Sequence, residues 1–145
     1  MKHSAMRPRL LHLFATQSQT KGYLMTSFPF RHDHYKVIYA DPPWTFATYS
    51  RKGKGRSAEA HYECMSLADI RALPVADWAA PDCALFLWAT DPALPQALEV
   101  IEAWGFTYKT VAFTWAKTTK DGAGFPIGCG YWTRANPEQC LLATR

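Results

Sequence analysis

No apolar run in this chain approaches the roughly 18 residues that a membrane-crossing helix needs, and the amino-terminal stretch has no long h-region of the kind that directs secretion. A metal signature is also missing. The four cysteines, Cys64, Cys83, Cys129 and Cys140, form no C-x-x-C pair, and no histidine lies at a zinc-like distance from two of them. Four reduced thiols and no metal are therefore expected, in an intracellular, cytoplasmic protein. The glycines make no dinucleotide fingerprint, because Gly128-Cys129-Gly130 lacks a third glycine and does not open a helix after a strand. Acids are absent from residues 1–24, where Lys2, Arg7, Arg9 and Lys21 account for the whole net charge of +4. Removing those four from the sixteen Lys and Arg leaves twelve, against twelve acids, in residues 25–145. The basic balance thus belongs to the leader and not to a nucleic-acid-binding face, which speaks against a basic structural protein.

What remains is a chain of 145 residues with 48% hydrophobic and 14% aromatic content, enough for the core of one domain. Residues 1–24 show neither alternation nor an apolar face and read as a disordered basic leader. Lys36–Ala40 reads as a strand. Thr45–Tyr62 reads as a loop containing Arg51-Lys52-Gly53-Lys54-Gly55-Arg56, too charged to pack. Ser66-Leu67-Ala68-Asp69 opens a short helix as a variant capping box, ending near Leu73 before Pro74. Cys83–Ala89 is apolar on both faces, as in a central strand. Asp91-Pro92 caps and opens a helix to Trp104, stopped by Gly105, with Leu94, Ala97, Leu98 and Ile101 on one face. Phe106–Trp115 and Gln139–Thr144 read as further strands, with a glycine-rich loop over Thr118–Gly130. This order predicts an α/β fold with a mostly parallel sheet and flanking helices. A sheet whose last strand ends at Thr144 is expected to leave apolar edges exposed.

The segment with most chemistry is Asp41-Pro42-Pro43-Trp44, directly after the apolar run Val37-Ile38-Tyr39-Ala40. It places a carboxylate, two prolines and an indole at the carboxyl end of a strand, where ligands bind in open α/β sheets. The carboxylate accepts hydrogen bonds from an amino group. Consecutive prolines stiffen the loop and offer carbonyl acceptors without donors. The indole offers a flat face for stacking a base. By spacing alone Asp41 could equally be an exposed turn acid, and the tryptophans ordinary core residues.

The motif resembles that of the S-adenosylmethionine-dependent amino-group methyltransferases of DNA and RNA. Five further segments narrow the resemblance to the MT-A70-like adenine-N6 methyltransferases. They are His61-Tyr62-Glu63-Cys64-Met65-Ser66, Leu85-Phe86-Leu87-Trp88-Ala89-Thr90, Trp104-Gly105-Phe106, Phe113-Thr114-Trp115-Ala116-Lys117 and Asn136-Pro137-Glu138-Gln139-Cys140-Leu141-Leu142. The resemblance runs from about Tyr35 to Arg145 and makes residues 25–145 the methyltransferase domain. It implies a Rossmann-like methyltransferase fold with circularly permuted motif order. It also implies that the Asp41 side chain and the Pro42 carbonyl accept from the target amino group, that Pro43 shapes the loop, and that Trp44 packs on the adenine. Asp41 and Pro43 would touch the methionine end of the cofactor. Tyr62, Trp88, Trp115, Lys117 and Glu138 are candidates for the substrate side, and Arg51, Lys52, Lys54 and Arg56 for phosphates.

Members of the family continue beyond the segment matching Arg145, with a His-Ser-Arg-Lys-Pro-like segment and a Glu-Leu-Phe-Ala-Arg-like strand that supply much of the cofactor pocket. The chain is accordingly expected to hold the catalytic half and to be incomplete at its carboxyl end, pairing with a missing half or a partner subunit. The resemblance implies S-adenosylmethionine as cofactor and DNA or RNA as substrate. The competing expectation is a noncatalytic nucleic-acid-binding or partner subunit on the same fold.

Overall fold

A computed structural model of the chain describes residues 10–14, 35–45, 64–126 and 133–145. The elements are β1 (Leu10–Phe14), β2 (Tyr35–Asp41), α1 (Leu67–Arg71), α2 (Val75–Trp78), β3 (Ala79–Thr90), a 3₁₀ turn (Asp91–Ala93), α3 (Leu94–Ala103), β4 (Thr107–Trp115) and β5 (Glu138–Thr144). Together the strands form one sheet in the order β1-β2-β3-β5-β4. The first two pairings are parallel, whereas β5 runs antiparallel to both β3 and β4. The expectation of a mostly parallel sheet is corrected to a mixed one: β5 returns between two strands that share a direction. The carboxyl ends of β2, β3 and β4 and the amino end of β5 therefore meet at one edge.

Two further expectations change. Leu10–Phe14 lies inside the stretch read as disordered, yet it forms a strand along the free edge of β2, with Leu10 opposite Val37 and Phe14 opposite Asp41. A short apolar run beside an open edge can satisfy both sets of backbone groups at once. The strand ending at Thr144 is internal, so the exposed apolar surface falls on β4 instead, at Tyr108, Val111, Phe113 and Trp115. Two register irregularities in β4, between Tyr108 and Thr110 and between Val111 and Phe113, interrupt the flatness of that edge.

One face of the sheet carries the core. Ile38 and Ala40 of β2, Leu85, Leu87 and Ala89 of β3, and Leu141 and Ala143 of β5 are all buried there, as period-2 alternation requires. Over them lies α3, burying Ala97, Val100 and Ile101. Leu98, expected on that face, is exposed. The amino end of β3 absorbs Pro81 in an irregularity opposite Tyr35 and Val37, where a residue without an N–H breaks no rung.

The helix ends follow local chemistry. Ser66 caps α1, accepting from the Asp69 amide at 3.2 Å while its hydroxyl donates to the Asp69 carboxylate at 2.6 Å. Asp91 makes no side-chain cap for α3; the chain enters through the 3₁₀ turn with no side-chain cap bond. At the other end, Gly105 has φ +78°. The Phe106 amide donates to Ile101 at 3.0 Å and the Gly105 amide to Glu102 at 2.9 Å, the paired bonds of a Schellman stop. The adjacent Trp104 is fully buried, and its indole donates to the Ile70 carbonyl at 2.9 Å. The stop thereby fixes α1 against α3.

An added Cβ at Gly105 would meet nothing within 4 Å, so a substitution there carries only the conformational cost of a left-handed residue. Gly105→Ala is expected to lower the unfolding free energy by about 1–2 kcal/mol, with Gly105→Asn costing less, as read by denaturant titration. An unchanged midpoint for Gly105→Ala would contradict a helix stop that depends on the left-handed glycine.

Candidate active site

Asp41 is the last residue of β2, and the two prolines behind it cannot continue a ladder. The loop is closed locally instead. The Trp44 amide donates to the Pro42 carbonyl at 2.8 Å, and the Met65 amide to the Pro43 carbonyl at 3.0 Å. The Thr45 hydroxyl donates to the Met65 carbonyl at 2.8 Å. From the loop, the Trp44 indole reaches across to β3 and donates to the Trp88 carbonyl at 2.8 Å.

Trp44 is only 7% exposed and belongs to the core cluster. In this structure it acts as a latch holding the motif loop to the end of β3, whereas the expected role was a plate for a stacked adenine. An indole suits either task, and the Trp88 carbonyl decides between them by accepting its N–H. The Pro42 carbonyl already accepts from Trp44 and keeps one further lone pair. That of Pro43 is engaged by Met65.

Beside the latched loop lies a cavity of about 500 Å³ lined by Tyr39, Asp41, Trp88, Phe113, Thr114, Trp115 and Glu138. Four of the residues expected at the site, Asp41, Trp88, Trp115 and Glu138, are therefore brought together. Their arrangement follows from the register: Thr90 of β3 and Trp115 of β4 both pair with Glu138, while Trp88 and Phe113 both pair with Cys140. The Tyr39 and Trp88 rings meet edge to face with centroids 6.3 Å apart. Tyr39, Phe113 and Thr114 were not anticipated. The signal for the first two was present, since each lies two positions before an expected site residue, on the same strand face.

Lys117 stands next to this wall. Its ammonium pairs with the Glu138 carboxylate at 2.5 Å and lies 5.3 Å from the centre of the Trp115 ring. Tyr62, Arg51, Lys52, Lys54 and Arg56 fall outside the described residues.

The electrostatics centre on Asp41. Its side of the strand faces solvent, yet the surrounding walls withdraw its carboxyl from part of its water. This desolvation, followed by the Glu138 charge, raises its pKa above the ordinary carboxylate value. Cys140, fully buried, has its thiol pushed up to about 11 by burial and then by Asp41. It stays protonated at neutral pH and is no nucleophile. A carboxylate with raised proton affinity, aromatic faces and a second carboxylate paired with a lysine together make a cavity that can bind an amino-bearing aromatic ring or a cationic group.

The MT-A70 family model matches residues 35–145. A Type II methyltransferase, M.MunI, from Mycoplasma sp is 38% identical over 98 residues, covering 57% of this chain and 42% of the relative. The chain thus spans less than half the length of that relative.

The latch and the raised carboxyl can each be tested. Trp44→Phe keeps the ring but leaves the Trp88 carbonyl without its donor, at a cost of about 1–3 kcal/mol in denaturant unfolding. Unchanged stability with weakened adenosine binding would restore the stacking role. For Asp41, a raised native pKa means that the folded state holds its proton more tightly than the unfolded one. Stability attributable to this group is lost as pH rises from the unfolded pKa through the folded one. Asp41→Asn should therefore stabilise the fold at neutral pH, and that gain should vanish below the ordinary carboxylate pKa. Destabilisation at neutral pH would contradict the assigned cause.

Proposed function

The chain belongs to the MT-A70 family, and on that premise we propose that it transfers a methyl group from S-adenosylmethionine to N6 of adenine in DNA or RNA. The observation that carries this reading is the convergence of Asp41, Trp88, Trp115 and Glu138 on one cavity at the carboxyl ends of β2, β3 and β4. With it goes a Rossmann-like reading of the sheet, supported by ligand-binding chemistry at that edge.

Adenine N6 is a poor nucleophile because its lone pair is delocalised into the ring. An acceptor on an N6 hydrogen raises electron density on the nitrogen and favours the pyramidal geometry that transfer requires. Asp41 is that acceptor in the ionised state, and the free lone pair of the Pro42 carbonyl is the second. Trp88 and Trp115 supply the flat surfaces that Trp44, held in the core, does not. The latched loop lets Asp41 act from a fixed position, and positioning of this kind contributes up to about 7–11 kcal/mol in well-oriented systems.

The donor set also suits the cofactor, since an ionised carboxylate among aromatic rings favours a cationic ligand. Asp41 would hold its charged end, Glu138 being paired with Lys117. Pro43 would shape the loop and not bind through its carbonyl, which Met65 occupies. When bound, S-adenosylmethionine supplies the electrophilic methyl carbon. Duplex substrate would have to be flipped out to reach the cavity. Arg51, Lys52, Lys54 and Arg56 are assigned to phosphates, and Tyr62 to the target base, on the family resemblance.

In a tritiated-methyl assay with an adenine-containing oligonucleotide, Asp41→Ala should lower transfer by on the order of 100-fold or more, with oligonucleotide binding retained. Equal rates for both proteins would remove Asp41 from the reaction. Binding of the oligonucleotide without transfer by the wild type would favour the noncatalytic subunit.

A further inference from the structure

The backbone ladder between β4 and β5 runs from Thr107 opposite Thr144 to Trp115 opposite Glu138. Two residues further in the same register, Lys117 faces Asn136. The residue between Asn136 and Glu138 is Pro137, which has no N–H to offer a ladder. Where the backbone rung is interrupted, a side chain replaces it. The Lys117 amide donates to Asn136 Oδ1 at 2.7 Å, and Asn136 Nδ2 donates back to the Lys117 carbonyl at 3.1 Å. Nδ2 donates again to the Pro126 carbonyl at 2.5 Å. Both amide hydrogens and the amide oxygen are thus engaged, and a carboxamide is a close mimic of the peptide group it replaces.

This clamp determines where Lys117 points. Held in register, Lys117 leaves on the same side as Trp115, two residues back. From there its ammonium reaches the Trp115 ring and the Glu138 carboxylate. We propose that Asn136 is a positioning residue of the cavity: by completing the ladder it holds the Lys117 ammonium on Glu138, which offsets part of that carboxylate's charge and favours Asp41 as the ionised acceptor.

The alternative state shows why this matters. Two carboxylates lining one cavity repel each other, and the one less well solvated takes up a proton. A protonated Asp41 donates a hydrogen bond where an amino group needs an acceptor. Among the described side chains, the other groups around Asp41 do not supply the missing positive charge. Tyr39 shares its strand, and Cys140 of β5 is a protonated thiol. β3 presents Trp88 and Thr90, and β4 presents Phe113, Thr114 and Trp115, none of which ionises in the acid range. Among the described side chains at this wall, Lys117 is the cation.

The consequence for catalysis rests on the methyl-transfer reading; the electrostatic claim does not. Its test is the acid titration of the Asp41 carboxyl carbon by NMR in the full chain without ligand. Asn136→Ala should move the Asp41 midpoint upward from its wild-type value. Lys117→Met should move it in the same direction, and adding Asn136→Ala to Lys117→Met should move it no further. Should Asn136→Ala fold poorly, Asn136→Gln keeps the carboxamide on a stem one methylene too long for the register and should give the same upward shift. An unmoved midpoint in a folded Asn136 variant overturns the proposal, as does a further shift in the Lys117→Met background. Adenosine titration by calorimetry on the same proteins is read separately. Failure of the wild type to bind counts against the methyl-transfer reading, while the Asp41 midpoint still decides the role of Asn136.

Discussion

The indole bond from Trp44 to the Trp88 carbonyl is the contact on which the rest of the site depends. A strand that ends in two prolines has no ladder to guide the residues after it, and nothing in Asp41-Pro42-Pro43 itself specifies where the carboxylate should stand relative to β3. Burying the next side chain and giving its one donor to the neighbouring strand solves both problems. The Met65 amide on the Pro43 carbonyl secures the loop from its other side. Asp41 is thereby fixed at the rim of a cavity whose remaining walls come from β3, β4 and β5. Trp44 is thereby buried, and the aromatic surface lining the cavity comes from Tyr39, Trp88, Phe113 and Trp115.

The same edge concentrates the charges. Asp41 and Glu138 approach from different strands because β5 runs antiparallel and so brings its first residue, and not its last, to the edge where β2 and β4 end. A fully parallel arrangement would have put Thr144 there. Placing two carboxylates together carries an electrostatic penalty that the Lys117 ammonium offsets. Aromatic rings remove water from the carboxylates and also give the lysine a surface to rest on. Burial, the Glu138 charge and the Lys117 pair thus act on one quantity, the protonation of Asp41.

Much of the fold was legible from local pattern. The runs around Val37–Ala40, Cys83–Ala89 and Gln139–Thr144 are strands, and the stop at Gly105 and the cap at Ser66 arise from residue chemistry that needs no distant partner. What could not be read was non-local. Strand order and the reversed direction of β5 depend on pairings across tens of residues, so local pattern points to a mostly parallel sheet where the structure has a mixed one. The four-residue α2 carries too short a pattern to register, and β1 depends on the open edge of β2. At the site, Asp41, Trp88 and Trp115 are legible from their places at the carboxyl ends of apolar strands and Glu138 from the family resemblance, and the strand register brings them together. The latch made by Trp44 was not legible, because an indole serves equally as stacking plate or as core latch and its hydrogen-bond partner lies forty-four residues away. Tyr39 and Phe113 were within reach of a period-2 reading taken backwards from Asp41 and Trp115.

The most direct measurement is a crystal structure of the chain bound to adenosine. The account predicts the base within the cavity, against Trp88 and Trp115, with its exocyclic nitrogen about 3 Å from the Asp41 carboxylate. Adenosine bound elsewhere, or lying on the face of an unlatched Trp44 while Asp41 turns to bulk water, would contradict it.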